Sequence, residues 1–361
     1  MHKVLFITKR HYTNKDLILD RFGRLFHLPM QLVKNGYALM VVTANYRSDK
    51  SETYNISGLK FLSLPFTIKT SGFFFPRCWQ TVKTFKPDII VASGDTHLGV
   101  IGLVYARLTG VPFVFDVYDD YTEFASNKLQ IMKTLFWMVI RRSNALICSN
   151  TPLMKKLYRK NRAVTVIENG VDTLLFKPCS RETARKKLLI DPRDTVIGYF
   201  GFIGSDYGVE ILVDALGKLR DSYPRAKLLL AGPKNYDIDL SHPYVDYRGA
   251  VPQKEIPLFI NSANVVVIPY LMNEKINVSN PCKLSEYLAC GVPMVSTRVS
   301  DISDTLLEIP GAICNPGDVD EMVRALKWQL ENQTVATFPE SLTWESLGKK
   351  FMNVLEMVLH N

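Results

Sequence analysis

Short runs of consecutive apolar residues alternate with helix-forming segments along the chain, and this alternation starts twice. In the first half the apolar runs lie at residues 3–8, 38–43, 60–64, 88–93, 112–117, 145–149 and 164–168. In the second half they lie at residues 195–201, 227–232, 245–251, 264–270, 293–297 and 311–314. Continuous rather than alternating hydrophobicity is typical of parallel strands that are covered by helices on both faces. The pattern therefore predicts an α/β fold built from two doubly wound parallel sheets.

The length of the chain also favours two domains. A single hydrophobic core stops growing at roughly 250–300 residues, and this chain has 361. We predict two Rossmann-like domains that face a cleft, at residues 1–175 and 176–342, with an amphipathic helix at residues 343–361 that packs back across the domain junction. Neither half has a G-x-G-x-x-G after its first strand, which argues against a dinucleotide-dependent dehydrogenase.

The two halves differ in charge. Residues 1–178 contain 25 Lys and Arg against 12 Asp and Glu, a net charge of +13, and the remainder of the chain has a net charge of −4. A basic half attracts an anionic membrane surface and a nucleic acid through the same field. The charge thus predicts an anionic partner without choosing between these two.

The apolar segments and the cysteines of the chain indicate where the protein is located and whether it binds a metal. No stretch supplies the roughly 20 apolar residues that a membrane span needs, and the first apolar run is too short for a signal-peptide core. We therefore expect a cytoplasmic protein. The six cysteines form no C-x-x-C pair and have no histidine pair nearby, so no metal site is predicted.

The densest chemical signal is the segment at residues 280–293, which reads N-P-C-K-L-S-E-Y-L-A-C-G-V-P. Asn280 and Pro281 are typical of a helix start, and the segment follows a predicted strand, where open α/β sheets bind ligands. The free N–H groups of such a start and the charge of Lys283 favour a phosphate, and Glu286 could accept hydrogen bonds from a ribose diol. Alternatively, Lys283 and Glu286 are an exposed pair three residues apart that contributes only a few tenths of a kcal/mol.

This segment resembles the donor-binding signature of the family 4 glycosyltransferases of the GT-B fold, in particular bacterial polysaccharide-synthesis members that read N-P-x-K-x-x-E-Y-x-A-x-G-x-P. The resemblance extends to further short motifs, which lie at residues 169–172, 198–201, 231–233 and 248–252. It covers nearly all of the second half of the chain. The first half matches only in the order and spacing of its strands.

The resemblance implies metal-independent transfer of a sugar from a nucleoside-diphosphate sugar, UDP- or GDP-linked, usually with retention at the anomeric carbon and without a further cofactor. Glu286 would hold the ribose, and the helix start from Pro281 to Leu284 would face the diphosphate. The other donor-binding positions would border the phosphates or the base. They are Gly201, Phe202, Gly232, Pro233, Arg248, Val251 and Asn280.

The chain departs from the family pattern at two places. Many members carry a second Glu eight residues before the first, where this chain has Val278, and many carry an Arg and a Lys in the loop that here spans residues 202–207 and has neither. Neutralisation of the diphosphate would then depend on Lys283, on the helix start and on a basic group across the cleft such as Lys9 or Arg10. Inversion at the anomeric carbon stays open for the same reason.

Three acid or base candidates follow strands of the first half. His97 comes after the fourth run, and Asp119 and Asp120 come after the fifth. Such groups could accept the proton of the acceptor hydroxyl if the reaction inverts, or bind sugar hydroxyls if it retains. The alternative for each aspartate is a turn or a helix cap.

Residues 66–87 mix basic and aromatic side chains, which suits a membrane interface. Together with the +13 half, this segment favours docking on an anionic membrane, at the inner face of the plasma membrane, and a saccharide acceptor that is linked to lipid. The predicted activity is glycosyl transfer in bacterial cell-surface polysaccharide synthesis. Two alternatives stay open: a nucleotide-sugar epimerase of the same fold, and a non-catalytic protein that binds nucleic acid or another anion.

Overall fold

The computed structural model describes residues 1–12, 15–123 and 129–360. The chain forms two compact units, which divide at residues 170/171 and 340/341. The sequence predicts these divisions a few residues later, at 175/176 and 342/343.

The first unit is built on a sheet of eight strands in the order β10-β9-β8-β7-β1-β4-β6-β5. Its strands, with a separate two-residue pair β2 and β3, are β1 (Lys3–Lys9), β2 (His11–Tyr12), β3 (Lys15–Asp16), β4 (Ala38–Asn45), β5 (Glu52–Ile56), β6 (Leu59–Pro65), β7 (Ile89–Ser93), β8 (Phe113–Val117), β9 (Ala145–Cys148) and β10 (Val164–Val166). Its first helices are α1 (Arg24–Lys34), α2 (Ser71–Phe85), α3 (Thr96–Thr109), α4 (Gln130–Arg142) and α5 (Thr151–Tyr158).

All seven apolar runs predicted in the first half form strands of this sheet, and they pair in parallel. The four residues at positions 4–7 of β1 are fully buried, as a central strand with helices on both faces requires. The edge strand β5 was not predicted, because its residues alternate between half-buried and exposed and form no apolar run. It pairs antiparallel with β6 through a tight turn at Ser57 and Gly58, which both have positive φ.

The second unit repeats the pattern in a six-stranded parallel sheet of order β13-β12-β11-β14-β15-β16. Its strands are β11 (Thr195–Phe200), β12 (Ala226–Ala231), β13 (Val245–Tyr247), β14 (Val265–Ile268), β15 (Met294–Thr297) and β16 (Ile313–Cys314). Its helices are α6 (Arg181–Leu188), α7 (Val209–Leu219), α8 (Ile256–Ser262), α9 (Glu274–Asn277), α10 (Cys282–Cys290) and α11 (Val319–Asn332). Both sheets confirm the predicted α/β class with Rossmann-like parallel sheets.

The last helix, α12 (Trp344–Leu359), belongs to the first unit. The ring of Trp344 stacks on His27 of α1 with 4.9 Å between ring centroids. Gly348 lies so close to Gln31 that a Cβ there would be 2.4 Å from the Gln31 side chain. The helix that follows the second unit in sequence thus completes the core of the first.

The parallel strands of each sheet have one point where their order reverses. In the first unit β1 lies between β4 and β7, and in the second unit β11 lies between β12 and β14. Ligands of open α/β sheets bind at the carboxyl ends of the strands beside such a reversal. The residues after β1 and β7, and those after β11 and β14, are therefore placed where ligands of such sheets bind.

Candidate functional site

Helix α10 follows β14 at the reversal point of the second sheet, but its first turn differs from the prediction by one residue. Pro281, rather than Asn280, occupies the N-cap position, with φ −74° and ψ 130°. The N–H of Leu284 donates to the carbonyl oxygen of Pro281 over 3.1 Å, so the first turn closes on the proline, whose fixed φ fits an extended cap residue. The helix ends at Gly291, which is left-handed.

A hydrogen bond fixes α10 on the end of β11. The phenol oxygen of Tyr287 accepts the backbone N–H of Phe200, the last residue of β11, over 2.9 Å, and both residues are buried. Lys283 lies four residues before Tyr287 and therefore on the same face of the helix. This arrangement brings the amine of Lys283 to Gly201, where a Cβ would be 2.9 Å from its Nζ.

The side chain of Lys283 is buried in a cage of aromatic rings. Its Nζ lies 3.8 Å from the ring centroid of Tyr199, 4.9 Å from that of Tyr270 and 5.9 Å from that of Tyr207. Among the described residues Nζ has no hydrogen-bond acceptor. Burial lowers the pKa of Lys283 to about 7, against the opposing influence of Glu286 and Cys282. The face of a tyrosine ring attracts a cation but accepts no ordinary hydrogen bond from it, so the amine is placed to bind an anion.

Glu286 is also buried, with 9% of its surface exposed. Its Oε1 accepts a hydrogen bond of 2.8 Å from the side-chain amide of Gln253, which lies in the segment after β13. Since Lys283 is only 8% exposed, the interpretation of Lys283 and Glu286 as an exposed surface pair is wrong. Leu284, Tyr287 and Leu288 of the same helix are buried as well.

Three loops meet at the carboxyl ends of β11, β12 and β13. The N–H of Gly232 donates to the carbonyl oxygen of Gly249 over 2.7 Å. A Cβ at Gly232 would be 1.8 Å from the carbonyl oxygen of Gly201, and the φ of Gly232 is 150°, so only glycine fits there. These contacts bring together the loops that carry Gly201, Phe202, Gly232, Pro233 and Val251, five of the predicted donor-binding positions.

The loop after β11 is held by an acidic rather than a basic residue. Asp206 accepts hydrogen bonds from Asn273 over 3.0 Å and from Lys275 over 3.1 Å, which ties this loop to the start of α9. Arg248 is exposed and its guanidinium pairs with Asp246 at 2.6 and 2.7 Å. Its place beside a base is therefore still a prediction, and in this structure its charge is matched by Asp246.

Sequence reasoning missed Tyr199, Tyr270 and Gln253. The two tyrosines lie in or directly after buried strands, where the pattern predicted only core residues. Their signal was available in principle, because a tyrosine at the carboxyl end of a buried parallel strand lies at the ligand edge of the sheet. Gln253 had no comparable signal.

His97, at the start of α3, lies at the reversal point of the first sheet. Its Nε2 is 2.6 Å from the hydroxyl of Tyr46, and its ring stacks on Phe66 with 5.5 Å between centroids. Burial lowers the pKa of His97, and Lys9 lowers it further although Asp95 opposes both. A neutral imidazole near pH 7 can accept or donate a hydrogen bond to a sugar hydroxyl.

The two aspartates after β8 differ in their surroundings. Asp120 is buried and pairs with Lys156, and it also accepts hydrogen bonds from the backbone and the hydroxyl of Thr122 at 3.1 and 2.7 Å. These contacts are those of a turn-stabilising residue. Asp119 is half-buried, and its Oδ1 accepts the N–H of Asp120 over 2.9 Å. Of the pair, Asp119 is the more accessible carboxylate.

The two basic residues expected to help neutralise a diphosphate are engaged within the first unit. Lys9 pairs with Asp95 over 3.1 Å. Arg10 is 5% exposed and contacts Asp16, Glu52, Tyr54 and Ser63. Because several acceptors surround it, Arg10 acts as a structural tie between the end of β1, β3 and the β5–β6 edge.

Helix α2 and the turn before it expose apolar side chains. Ile68 is fully exposed, Phe73 is 68% exposed and Phe75 is 45% exposed, whereas Phe74 is buried. Four cations flank these side chains and are exposed as well: Lys69, Arg77, Lys83 and Lys86. We call the seven exposed residues the α2 surface.

Residues 1–12, 15–123 and 129–360 contain neither a membrane-spanning helix nor a metal-binding cluster. None of their helices is both long and apolar enough to cross a lipid bilayer. Nor do three or more of their His, Cys, Asp and Glu side chains group in a way that could hold a metal ion.

Comparisons with known proteins agree with this architecture. The family described as Glycosyltransferase Family 4 matches residues 25–174, and the family described as Glycosyl transferases group 1 matches residues 194–332. One relative is the phosphatidylinositol N-acetylglucosaminyltransferase of Arabidopsis thaliana, one of whose subunits is 24% identical over 340 residues, which cover 86% of this chain and 72% of the relative. TuaH of Bacillus subtilis, named for a glycosyltransferase role in teichuronic acid biosynthesis, is 26% identical over 184 residues, 48% of this chain and 45% of the relative.

Among solved structures, HepE of Anabaena in complex with UDP and glucose superposes with a TM-score of 0.73 at 15% identity, covering 99% of this chain and 100% of that one. This likeness shows the shared fold. The family matches fall on both units. The chain belongs to the family 4 type of glycosyltransferases with the GT-B fold, and it is a transferase.

Proposed function

We propose that this protein transfers a sugar from a nucleoside-diphosphate sugar, UDP- or GDP-linked, to a lipid-linked saccharide, with retention at the anomeric carbon. The main support for binding of the sugar donor is the amine of Lys283. This amine is buried in the first turn of α10 and has no hydrogen-bond acceptor among the described residues. A buried donor group without a partner is costly, and a phosphate oxygen would satisfy it.

The second unit offers the groups that a diphosphate leaving group needs. As the acceptor oxygen bonds to the anomeric carbon, the bond from that carbon to the diphosphate oxygen breaks, and negative charge grows on the departing diphosphate. The proton of the acceptor hydroxyl passes to the departing phosphate oxygen, which lies on the same face of the sugar in a retaining reaction. Lys283 and the N–H groups at the start of α10 would stabilise this charge. Glu286, oriented by Gln253, would accept hydrogen bonds from the hydroxyls of the ribose.

The first unit offers groups for the acceptor. In a retaining reaction His97 and Asp119 would bind sugar hydroxyls, and His97 is suited to this because Tyr46 and Phe66 hold its ring. Asp120 has a structural role in this proposal, since Lys156 and Thr122 already occupy its carboxylate.

The α2 surface supports a membrane-bound acceptor. Aromatic side chains flanked by cations gain free energy from both the headgroup region and anionic lipid, about 1 kcal/mol for each well-placed cation. The name of the Arabidopsis relative includes a lipid, phosphatidylinositol, and the name of TuaH refers to teichuronic acid. We infer that the protein works at the inner face of the plasma membrane in cell-surface polysaccharide synthesis.

The donor half of the proposal is tested by thermal unfolding with UDP-, GDP-, ADP- and dTDP-sugars. A ligand that binds only the folded state stabilises it, by about 2.7 kcal/mol at a hundred times its Kd. We expect one nucleotide family to raise the melting temperature. If a folded sample shifts with none of the four, the donor assignment is wrong, and a protein that binds nucleic acid or another anion becomes the better account.

A further inference from the structure

The amine of Lys283 differs from two other buried cations of this protein. The guanidinium of Arg24 donates to Asp116 at 2.8 and 3.2 Å and to the carbonyl oxygen of Ile167 at 2.8 Å. That of Arg185 donates to Ser262, Pro192 and Asn264 at 2.7–2.9 Å. Hydrogen bonds within the protein therefore already stabilise the charges of these two guanidinium groups. Among the described residues, Lys283 has ring faces instead of acceptors. Its charged form is attracted by these rings but lacks the hydrogen bonds that make a buried charge tolerable.

The groups that face Lys283 come from three places. Tyr199 lies on β11, Tyr207 follows β11 and Tyr270 follows β14, while Glu286 and Cys282 belong to α10 itself. Burial raises the pKa of Tyr199 and of Tyr270 well above 10, so these two rings stay neutral in the neutral and mildly alkaline range. Glu286 supplies a carboxylate three residues along the helix, and its Oε1 is hydrogen-bonded by Gln253.

The position of the amine is that of a ligand contact. It lies in the first turn of a nine-residue helix, at the reversal point of the sheet, and against Gly201, the first residue after β11. An anion at the helix start would meet both the N–H groups of the first turn and this amine. The free protein thus keeps the amine poorly solvated until an anion arrives.

We propose that Lys283 takes up a proton from solvent when the diphosphate of the donor binds, so that the affinity for the nucleotide depends on pH. The lone pair of Nζ accepts the proton, and the ammonium that forms donates hydrogen bonds to phosphate oxygens. Proton uptake and nucleotide binding are thermodynamically linked. A ligand that binds the protonated amine more tightly raises the pKa of that amine, and deprotonation of the amine weakens binding of the ligand by the same factor. This inference rests on the proposed function, because it needs a diphosphate at this site.

The experiment is calorimetric titration of the wild-type protein with UDP, or with whichever of UDP, GDP, ADP and dTDP binds tightest at pH 7, between pH 7 and pH 9.5. Above pH 7 the terminal phosphate of a nucleoside diphosphate is already ionised, since its last pKa is about 6. We expect Kd to rise by up to about tenfold per pH unit above pH 7, which is the limit for one linked proton. Titration at pH 8 in buffers of different ionisation enthalpy should report uptake of close to one proton per nucleotide.

Two variants separate Lys283 from other titrating groups. Lys283→Arg keeps a charge at every pH, so its Kd should lose the pH dependence. Lys283→Met has no charge and should bind more weakly with an equally flat profile. If the larger arginine does not fit the cage, the number of protons that the wild type takes up per bound nucleotide still tests the inference.

The outcomes distinguish this inference from the function on which it rests. A wild-type Kd that is constant from pH 7 to pH 9.5 without proton uptake overturns the role of Lys283 and leaves donor binding intact. A pH slope that survives in Lys283→Met overturns it too, because the proton would then sit elsewhere. If none of the four nucleotides binds the folded protein at any pH, the proposed function itself is contradicted.

Discussion

The side-chain amide of Gln253 donates a hydrogen bond to Oε1 of Glu286 over 2.8 Å, joining the segment after β13 to helix α10. Glu286 is buried, and this contact contributes to the orientation of its carboxylate. A hydrogen bond to a charged group contributes about 1.5–3 kcal/mol. Gln253 is therefore a positioning residue for the carboxylate that we assign to the ribose.

We predict that Gln253→Ala weakens nucleotide binding about tenfold, because it removes a contact that orients Glu286, and that it lowers the free energy of unfolding by about 1.5–3 kcal/mol. The measurement is the Kd of the nucleotide for Gln253→Ala, Glu286→Ala and the double variant. If Gln253 acts through Glu286, the double variant binds no more weakly than Glu286→Ala alone. Additive losses would mean that Gln253 contacts the ligand or the fold independently.

Lys283→Met should stabilise the free protein at neutral pH. The pKa of Lys283 is about 7 in the folded chain and 10.5 in the unfolded chain, so between these values the unfolded chain binds one more proton. The stability of the wild type therefore rises with pH across this window, by up to about 1.4 kcal/mol per pH unit. Below pH 7 the free energy of unfolding of the wild type is lowest relative to that of Lys283→Met. The difference between the two proteins becomes smaller toward pH 10.

This stability prediction is checked by denaturant unfolding at pH 6.5, 8 and 9.5 without nucleotide. Lys187→Met, which removes an exposed lysine of α6, is the matched control and should change stability by less than about 0.5 kcal/mol at each pH. A gap between wild type and Lys283→Met that does not change with pH would show that the lysine is not desolvated in solution.

His97→Ala should lower kcat/KM for sugar transfer by at least about tenfold, the equivalent of about 1.4 kcal/mol of transition-state stabilisation. Because the pKa of His97 is lowered by burial, its imidazole is neutral at pH 7, and the acid limb of wild-type kcat/KM should begin only as the pH drops below the ordinary histidine range. The acid limb should disappear in His97→Ala and persist in His242→Ala, a control on the second unit. Equal profiles for wild type and His97→Ala would remove His97 from the site.

The α2 surface predicts binding to vesicles that contain anionic lipid. Replacing Phe73 and Phe75 by serine removes two exposed aromatic side chains, each of which contributes about 1.5–3 kcal/mol when fully withdrawn from water. We expect at least a tenfold loss of vesicle-bound protein in co-sedimentation. Leu307→Ser, which removes an exposed apolar residue of the second unit, should bind like the wild type. Undiminished binding of the double variant would locate the membrane contact elsewhere on the protein.

The sequence predicted the parts of this fold that depend on continuous hydrophobicity. Strands such as β1 and β14 are buried on both faces, and burial on both faces leaves an unbroken apolar run. The edge strand β5 was not predicted, because one of its faces meets solvent and its side chains alternate between half-buried and exposed. The start of α10 was misplaced by one residue because Pro281 can stand either at the cap or in the first turn.

The candidate site was only half predictable, for a physical reason. Lys283 and Glu286 lie within one short helix, whose caps and charges can be read locally. Their surroundings come from residues that are distant in the chain: Tyr199 lies on β11 and Gln253 follows β13. Only the packing of α10 on the sheet, through the contact between Tyr287 and Phe200, brings these groups to the helix.

In our proposal α10 binds the nucleotide of a sugar donor through Glu286 and Lys283. The Kd of the nucleotide for Glu286→Ala tests this binding, and Glu274→Ala is the control, because Glu274 is an exposed residue of the neighbouring helix α9. We predict a loss of about 10- to 100-fold for Glu286→Ala, as expected when a charged acceptor of hydrogen bonds is removed, and no change for Glu274→Ala. Unchanged affinity in a folded Glu286→Ala protein would show that Glu286 does not hold the nucleotide.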